Sequence, residues 1–169
     1  AADDANATSR RGDEWYTRVA KNSGNWMWET AQNGRSPGFE VNDLSYLDRA
    51  DYKWMNFNVG YNWNLPGSWY RSATILGGGQ QQFNYDGDKT DAQAQAFTQI
   101  NFLNYWRLRS FYIYHPAVLD DRLTRGGPVV MRSGYKILMG QVSTDPRARA
   151  VFDVSVQGGP SVGARGHQV

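Results

Sequence analysis

Trp54-Met55-Asn56-Phe57-Asn58-Val59-Gly60-Tyr61-Asn62-Trp63 alternates almost without error. Met55, Phe57, Val59, Tyr61 and Trp63 are apolar, whereas Asn56, Asn58, Gly60 and Asn62 between them are small or polar. A period of two marks a β-strand with one greasy and one wet face. The wet face carries amides and glycine rather than a run of charge, and the greasy face ends in aromatic rings. A strand with an aqueous lumen on one side and lipid on the other has this composition.

The same phase returns between Ala92 and Tyr114. Gln93, Gln95, Gln99, Asn101, Arg107 and Arg109 fall on one face, and Ala94, Ala96, Ile100, Phe102, Trp106 and Leu108 on the other. This predicts one strand of about twenty residues, long beside the five or six usual in globular proteins. Phe111 to Tyr114 would close it as an aromatic cluster at a membrane interface. Glu14 to Ala20 and Asn25 to Ala31 read as a hairpin turning at Asn22-Ser23-Gly24. Asn64-Leu65-Pro66-Gly67 is a tight turn, after which Trp69 to Gly79 should return, with a bulge or bend at Gly77, Gly78 and Gly79. Asp86-Gly87-Asp88, with Lys89 and Thr90, makes the next turn. His115 to Ser133 reads as a polar loop, and Tyr135 to Ser143 with Ala150 to Gly158 as a last hairpin. Residues 1–12 are expected to be a mobile tail, 13–158 a β-barrel segment of about eight strand candidates, and 159–169 a disordered tail.

Composition agrees with an all-β chain. Seven Trp, ten Tyr, seven Phe and 18 Gly stand among 169 residues, an enrichment that suits strands. Mean hydropathy is −0.66, and no stretch approaches the ~18 consecutive apolar residues of a membrane helix. A transmembrane barrel remains compatible, because its strands are only half apolar. The absence of cysteine removes thiol, disulfide and Cys-zinc chemistry. A net charge of +2, scattered along the chain, does not predict a nucleic-acid partner.

Two loops carry a more specific signal. One is Ser36-Pro37-Gly38-Phe39-Glu40-Val41-Asn42-Asp43-Leu44, followed by Leu47-Asp48-Arg49-Ala50-Asp51. The other is Leu119-Asp120-Asp121-Arg122-Leu123-Thr124-Arg125-Gly126-Gly127-Pro128. In order and content, over residues 25–155, the chain resembles a bacterial outer-membrane β-barrel family known as domain of unknown function 5916. The resemblance implies an antiparallel transmembrane barrel, usually C-terminal to a family 9-like carbohydrate-binding module. Members are several times longer and outer-membrane barrels usually end in an aromatic residue, so the chain is expected to be an internal segment of a larger barrel.

The chemistry-bearing residues have competing readings. Asp120, Asp121, Arg122 and Arg125 would suit a clamp at a barrel mouth, or a loop held by its own ion pairs, and structural ion pairs are far commoner. Glu40, Asp43, Asp48 and Asp51 could pair for glycoside hydrolysis, but nothing sets their separation. Asp86, Asp88 and Asp91 lack the remaining ligands of a calcium loop. His115 and His167 are too far apart in sequence to predict a metal site. The tryptophans suit core or interface anchoring, and also stacking on an oligosaccharide partner.

The expectation is therefore an outer-membrane barrel segment serving permeation, surface binding or scaffolding, non-catalytic by itself, with no cofactor or metal. Asn56, Asn58, Asn62, Gln93, Gln95, Gln99, Asn101, Arg107 and Arg109 would face the lumen. Ser36, Pro37, Gly38, Glu40, Asn42, Asp43, Asp120, Asp121, Arg122, Arg125, Gly126 and Gly127 would form the loop motifs. Partners would be outer-membrane lipid and further barrel polypeptide completing the sheet. The alternatives are a soluble carbohydrate-binding β-sandwich and part of a membrane-associated glycan hydrolase.

Overall fold

The computed structural model describes residues 11–39, 49–120, 123 and 129–159. Ten strands make its regular structure: β1 (Glu14–Lys21), β2 (Trp26–Arg35), β3 (Tyr52–Trp63), β4 (Tyr70–Phe83), β5 (Lys89–Phe102), β6 (Arg107–His115), β7 (Val118–Asp120), β8 (Val130–Arg132), β9 (Tyr135–Ser143) and β10 (Asp153–Gly158). Eight form one antiparallel sheet in the order β1-β2-β3-β4-β5-β6-β9-β10, and β7 pairs with β8 in a small sheet of its own. The described residues contain no helix. The fold is thus the all-β antiparallel one that the alternation predicts. The sheet is open, with β1 and β10 at its two edges and not paired to each other.

Turn chemistry explains most of the hairpins. Gly24 takes a φ of 79° between β1 and β2, a conformation cheap only without a Cβ. Lys21 Nζ caps that turn by donating to the Ser23 and Trp26 carbonyls. Between β4 and β5, Asn84 Oδ1 accepts from the Asp88 amide at 2.7 Å and Gly87 sits at φ 98°. This turn spans Asn84 to Asp88, so Lys89 and Thr90 belong to β5 rather than to the turn.

Three expectations need correction. The long strand from Ala92 to Tyr114 is two strands, folded back at Leu103–Trp106. The Tyr105 amide donates to the Phe102 carbonyl at 3.1 Å, and the Phe102 amide to the Trp106 carbonyl at 2.9 Å. Tyr105 takes the left-handed φ of 66° that such a connection demands, and Asn104 Oδ1 accepts from the Trp106 amide. Three-residue hairpin loops usually place glycine at the left-handed position; a tyrosine there hides the turn. Second, Gly77–Gly79 contain no bulge. They pair in unbroken register with Val59–Phe57, and the irregularities of β4 lie at Tyr70/Ser72 and Gln82/Phe83. Third, the loop expected over His115–Ser133 contains the β7–β8 pair, whose Val118 is only 5% exposed.

Conventional core is scarce. Among the described residues the buried apolar side chains are Ala31, Tyr52, Ala73, Ala92 and Val118, and no large side chain is fully buried. The two ends of the sheet also differ. Connections 22–25, 64–69, 103–106 and 144–152 lie at one end, and 36–51, 84–88 and 116–134 at the other. The two longest connections therefore join strands at one end of the sheet.

Of the expected tails, residues 1–10 and 160–169 lie outside the described residues. Residues 11 and 12 run beside the start of the first loop motif, where a Cβ on Gly12 would come 2.1 Å from the Phe39 amide nitrogen.

Candidate functional site: the polar face of the sheet

Side chains of directly opposed residues in antiparallel strands share a face, so the register carries a face across the sheet. One row runs Asn62, Thr74, Gln99, Arg109, Gln141, Ser155. Another runs Ser72, Asn101, Arg107, Ser143, Asp153. Asn58 opposes Gly78, which opposes Gln95, and Asn56 opposes Gln80, which opposes Gln93. The nine residues picked from the two alternating stretches, Asn56, Asn58, Asn62, Gln93, Gln95, Gln99, Asn101, Arg107 and Arg109, all stand on this one face, on β3, β5 and β6.

Seven of them are joined to others of the nine. Gln93 Nε2 donates to Gln95 Oε1 at 3.0 Å, and Gln95 Nε2 donates to Asn58 Oδ1 at 3.1 Å. Arg109 Nε donates to Gln99 Oε1 at 3.0 Å, and Arg107 Nε to Asn101 Oδ1 at 3.2 Å. Asn101 Nδ2 in turn donates to Ser72 Oγ, and Asn56 Oδ1 accepts from the Ala31 amide at 2.7 Å. Asn62 Nδ2 reaches Met27 Sδ at 3.2 Å. Amides donate and accept at once, which lets them tile a wet surface as a network. Gly78 makes room for one of these links: a Cβ there would lie 2.3 Å from Asn58 Oδ1.

The face also holds residues that the alternation did not single out. Gln80 and Arg132 both donate to Asp91, and Arg18 pairs with Glu29 near the β1 edge. Two hollows open on it. One, of about 290 Å³, lies by Met27, Glu29, Asn58, Leu76 and Gln95. The other, of about 330 Å³, lies by Phe97, Arg109, Phe111, Met139 and Gln141. Phe111 and Ile113 therefore belong to the polar face, and only Tyr112 and Tyr114 of the expected aromatic cluster to the other. Counting phase onward from Arg109 would have placed them correctly.

The opposite face is apolar and open. Phe57 is 52% exposed, Leu138 58% and Val156 70%, and Val19, Met55, Ile75, Val142 and Val154 are exposed with them. Aromatic rings gather at its short-turn end, with Trp26 against Tyr61 at 5.0 Å and Trp69 against Phe102 at 6.0 Å. At the long-loop end the rings carry lysines: Lys53 over Tyr85, Lys89 over Phe83 and Lys136 over Tyr114.

The loop motifs are only partly described. Ser36 exchanges hydrogen bonds with Asp13, its amide donating to the Asp13 carbonyl and its Oγ accepting from the Asp13 amide. Gly38 lies along Arg11, whose carbonyl oxygen a Cβ would approach to 2.3 Å. Pro37 is exposed beside them. Asp120 Oδ1 accepts from the Leu123 amide. Glu40, Asn42, Asp43, Asp48, Asp121, Arg122, Arg125, Gly126 and Gly127 lie outside the described residues. Asp51, at φ 58°, accepts from the Tyr85 amide, and His115 stacks on Tyr135 at 4.4 Å. The described residues hold no cluster of three metal-ligating side chains.

The family described as Domain of unknown function (DUF5916) matches residues 2–163, and the chain belongs to it. Among curated proteins and among solved structures, none matches the chain.

Proposed function

We propose that this family member forms part of a β-barrel wall in the bacterial outer membrane, its polar face lining a water-filled passage and its apolar face meeting lipid. One observation carries the reading: the two faces are inverted relative to a soluble protein. Exposed Phe57, Ile75, Leu138 and Val156 crowd one side, while on the other Asn58, Gln93 and Gln95 are half-buried and bonded together, and half-buried Asn56 is bonded to the Ala31 amide. In water such an apolar face would be buried against a second layer. In lipid it needs no cover, and a polar lumen is the usual counterpart.

Three further features support it. Nine-residue strands such as β6 and β9 suit a tilted crossing of the hydrocarbon core. The two longest connections, 36–51 and 116–134, share one end, in keeping with the usual asymmetry of outer-membrane barrels. Aromatic rings at both ends of the apolar face, some carrying lysines, suit the two water interfaces. The free edges of β1 and β10 call for completion, because unpaired backbone groups in lipid cost several kcal/mol each. We assign that completion to further barrel polypeptide, and the function to passage or binding of hydrophilic solutes.

The test is fractionation of native cells. The chain should stay with the outer-membrane fraction through an alkaline carbonate wash and come off only in detergent. Recovery in aqueous buffer would overturn the reading.

A further inference from the structure

On a face built mainly from polar and charged side chains, one row is apolar. Phe97, Phe111 and Met139 oppose one another across β5, β6 and β9, and Ile113 opposes Ile137 in the adjoining row. Phe97, Phe111 and Met139 are half-buried, and an apolar cluster rimmed by polar residues marks a candidate binding site. The next row toward the short-turn end is Gln99, Arg109, Gln141 and Ser155. The hollow of about 330 Å³ straddles the two rows, within the size range of small-molecule sites.

Arg109 supplies the specificity. It is exposed, and its Nε donates to the neutral Gln99 amide oxygen. It has no carboxylate partner among the described residues. Asp153, in the adjoining row of this face, is held by Ser143 and Gln141. The terminal nitrogens of Arg109 therefore keep donors in the fork geometry that matches a carboxylate. Residues 109 and 111 share a face two positions apart, so their Cα atoms stand about 7 Å apart along the strand.

We infer that this hollow binds an amphipathic carboxylate, its flat apolar body on Phe97, Phe111 and Met139 and its acid group on Arg109. Charge complementarity selects this occupant over a neutral apolar one, and the apolar row selects it over a small inorganic anion.

The test uses the full chain in lipid nanodiscs and two soluble probes, 2-naphthoate and its neutral analogue 2-naphthamide. Titration calorimetry against empty nanodiscs should show saturable 1:1 binding of naphthoate. The amide should bind about tenfold more weakly, the scale of one hydrogen bond to a charged group. Arg109→Gln should erase that preference, while Arg109→Lys keeps part of it. Phe111→Ala should weaken both probes. Equal binding of acid and amide, a preference that survives Arg109→Gln, or uptake that never saturates would each overturn the inference. None of these outcomes alters whether the chain needs detergent, so this site and the membrane reading fail separately.

Discussion

Asn58 and Gln95 lie 37 positions apart in sequence and two strands apart in the sheet, yet Gln95 Nε2 donates to Asn58 Oδ1 at 3.1 Å. The bond crosses β4 above Gly78, the residue that opposes both. Glycine at 78 is thus a gap through which β3 and β5 speak directly. The middle of the wet face is held by side-chain amides as well as by the backbone ladder.

Gly78→Ala should close that gap. Its Cβ would meet Asn58 Oδ1 and the Phe57 carbonyl oxygen at 2.3 Å, so backbone would have to move. Overpacking of this kind costs ~1–3 kcal/mol. Gly77→Ala is the internal control, because its Cβ meets nothing nearer than the Gln95 carbonyl oxygen at 3.8 Å. Urea denaturation should separate the two variants; equal midpoints would refute the account.

Leu138 stands near the middle of β9 on the apolar face, and Gln141 on the polar one. Leu138→Arg should cost ~2–4 kcal/mol if that face meets the bilayer midplane, and Gln141→Arg little. The comparison is made by reversible unfolding in lipid vesicles. If the apolar face met water instead of lipid, Leu138→Arg would cost little, since the residue is 58% exposed.

Tyr105 combines strain with stacking. Its φ of 66° is costly for a residue with a Cβ, by ~1–2 kcal/mol. Against this, its ring lies 3.1 Å from the Arg147 guanidinium carbon and 4.2 Å from that of Arg71, and each exposed cation–π contact returns ~0.5–1 kcal/mol. The two effects nearly cancel, so Tyr105→Gly should shift stability little. In an Arg147→Ala, Arg71→Ala background the same change should stabilise the chain. Measured in a double-mutant cycle, additive effects would show that the stacking contributes nothing.

Asp145, in the turn between β9 and β10, is held down to about 2 by hydrogen bonds from Arg147, side chain first and then amide, with the charges of Arg147 and Arg71 adding to them. The ordinary carboxyl value is 3.8. A folded value below the unfolded one means that the contribution is present in full above about pH 4 and is lost as pH falls through about 2. A carboxyl-carbon NMR titration should place the midpoint there, and Arg147→Gln should return it toward the ordinary value. An unmoved midpoint would rule out the side-chain bond as the cause.

Alternation alone determined the all-β class and the membership of each face. Asn56, Asn58 and Asn62 on β3 and Gln93, Gln95, Gln99, Asn101, Arg107 and Arg109 on β5 and β6 were legible because a pleated strand turns successive side chains to opposite sides. The same signal concealed the turn at Leu103–Trp106. Gln99 opposes Arg109 and Asn101 opposes Arg107, so partners on both strands carry odd numbers and the phase runs through the reversal unchanged. A period of two reports which face a residue occupies and is blind to the direction of the chain. Only pairing in three dimensions decided the rest: that the two faces recruited from distant segments coincide, that Gly78 opens a path between Asn58 and Gln95, and that Phe97, Phe111 and Met139 align beside Arg109. Each of these depends on register between strands, which is set by turn geometry and by contacts across the sheet rather than by the spacing of residues along any one strand.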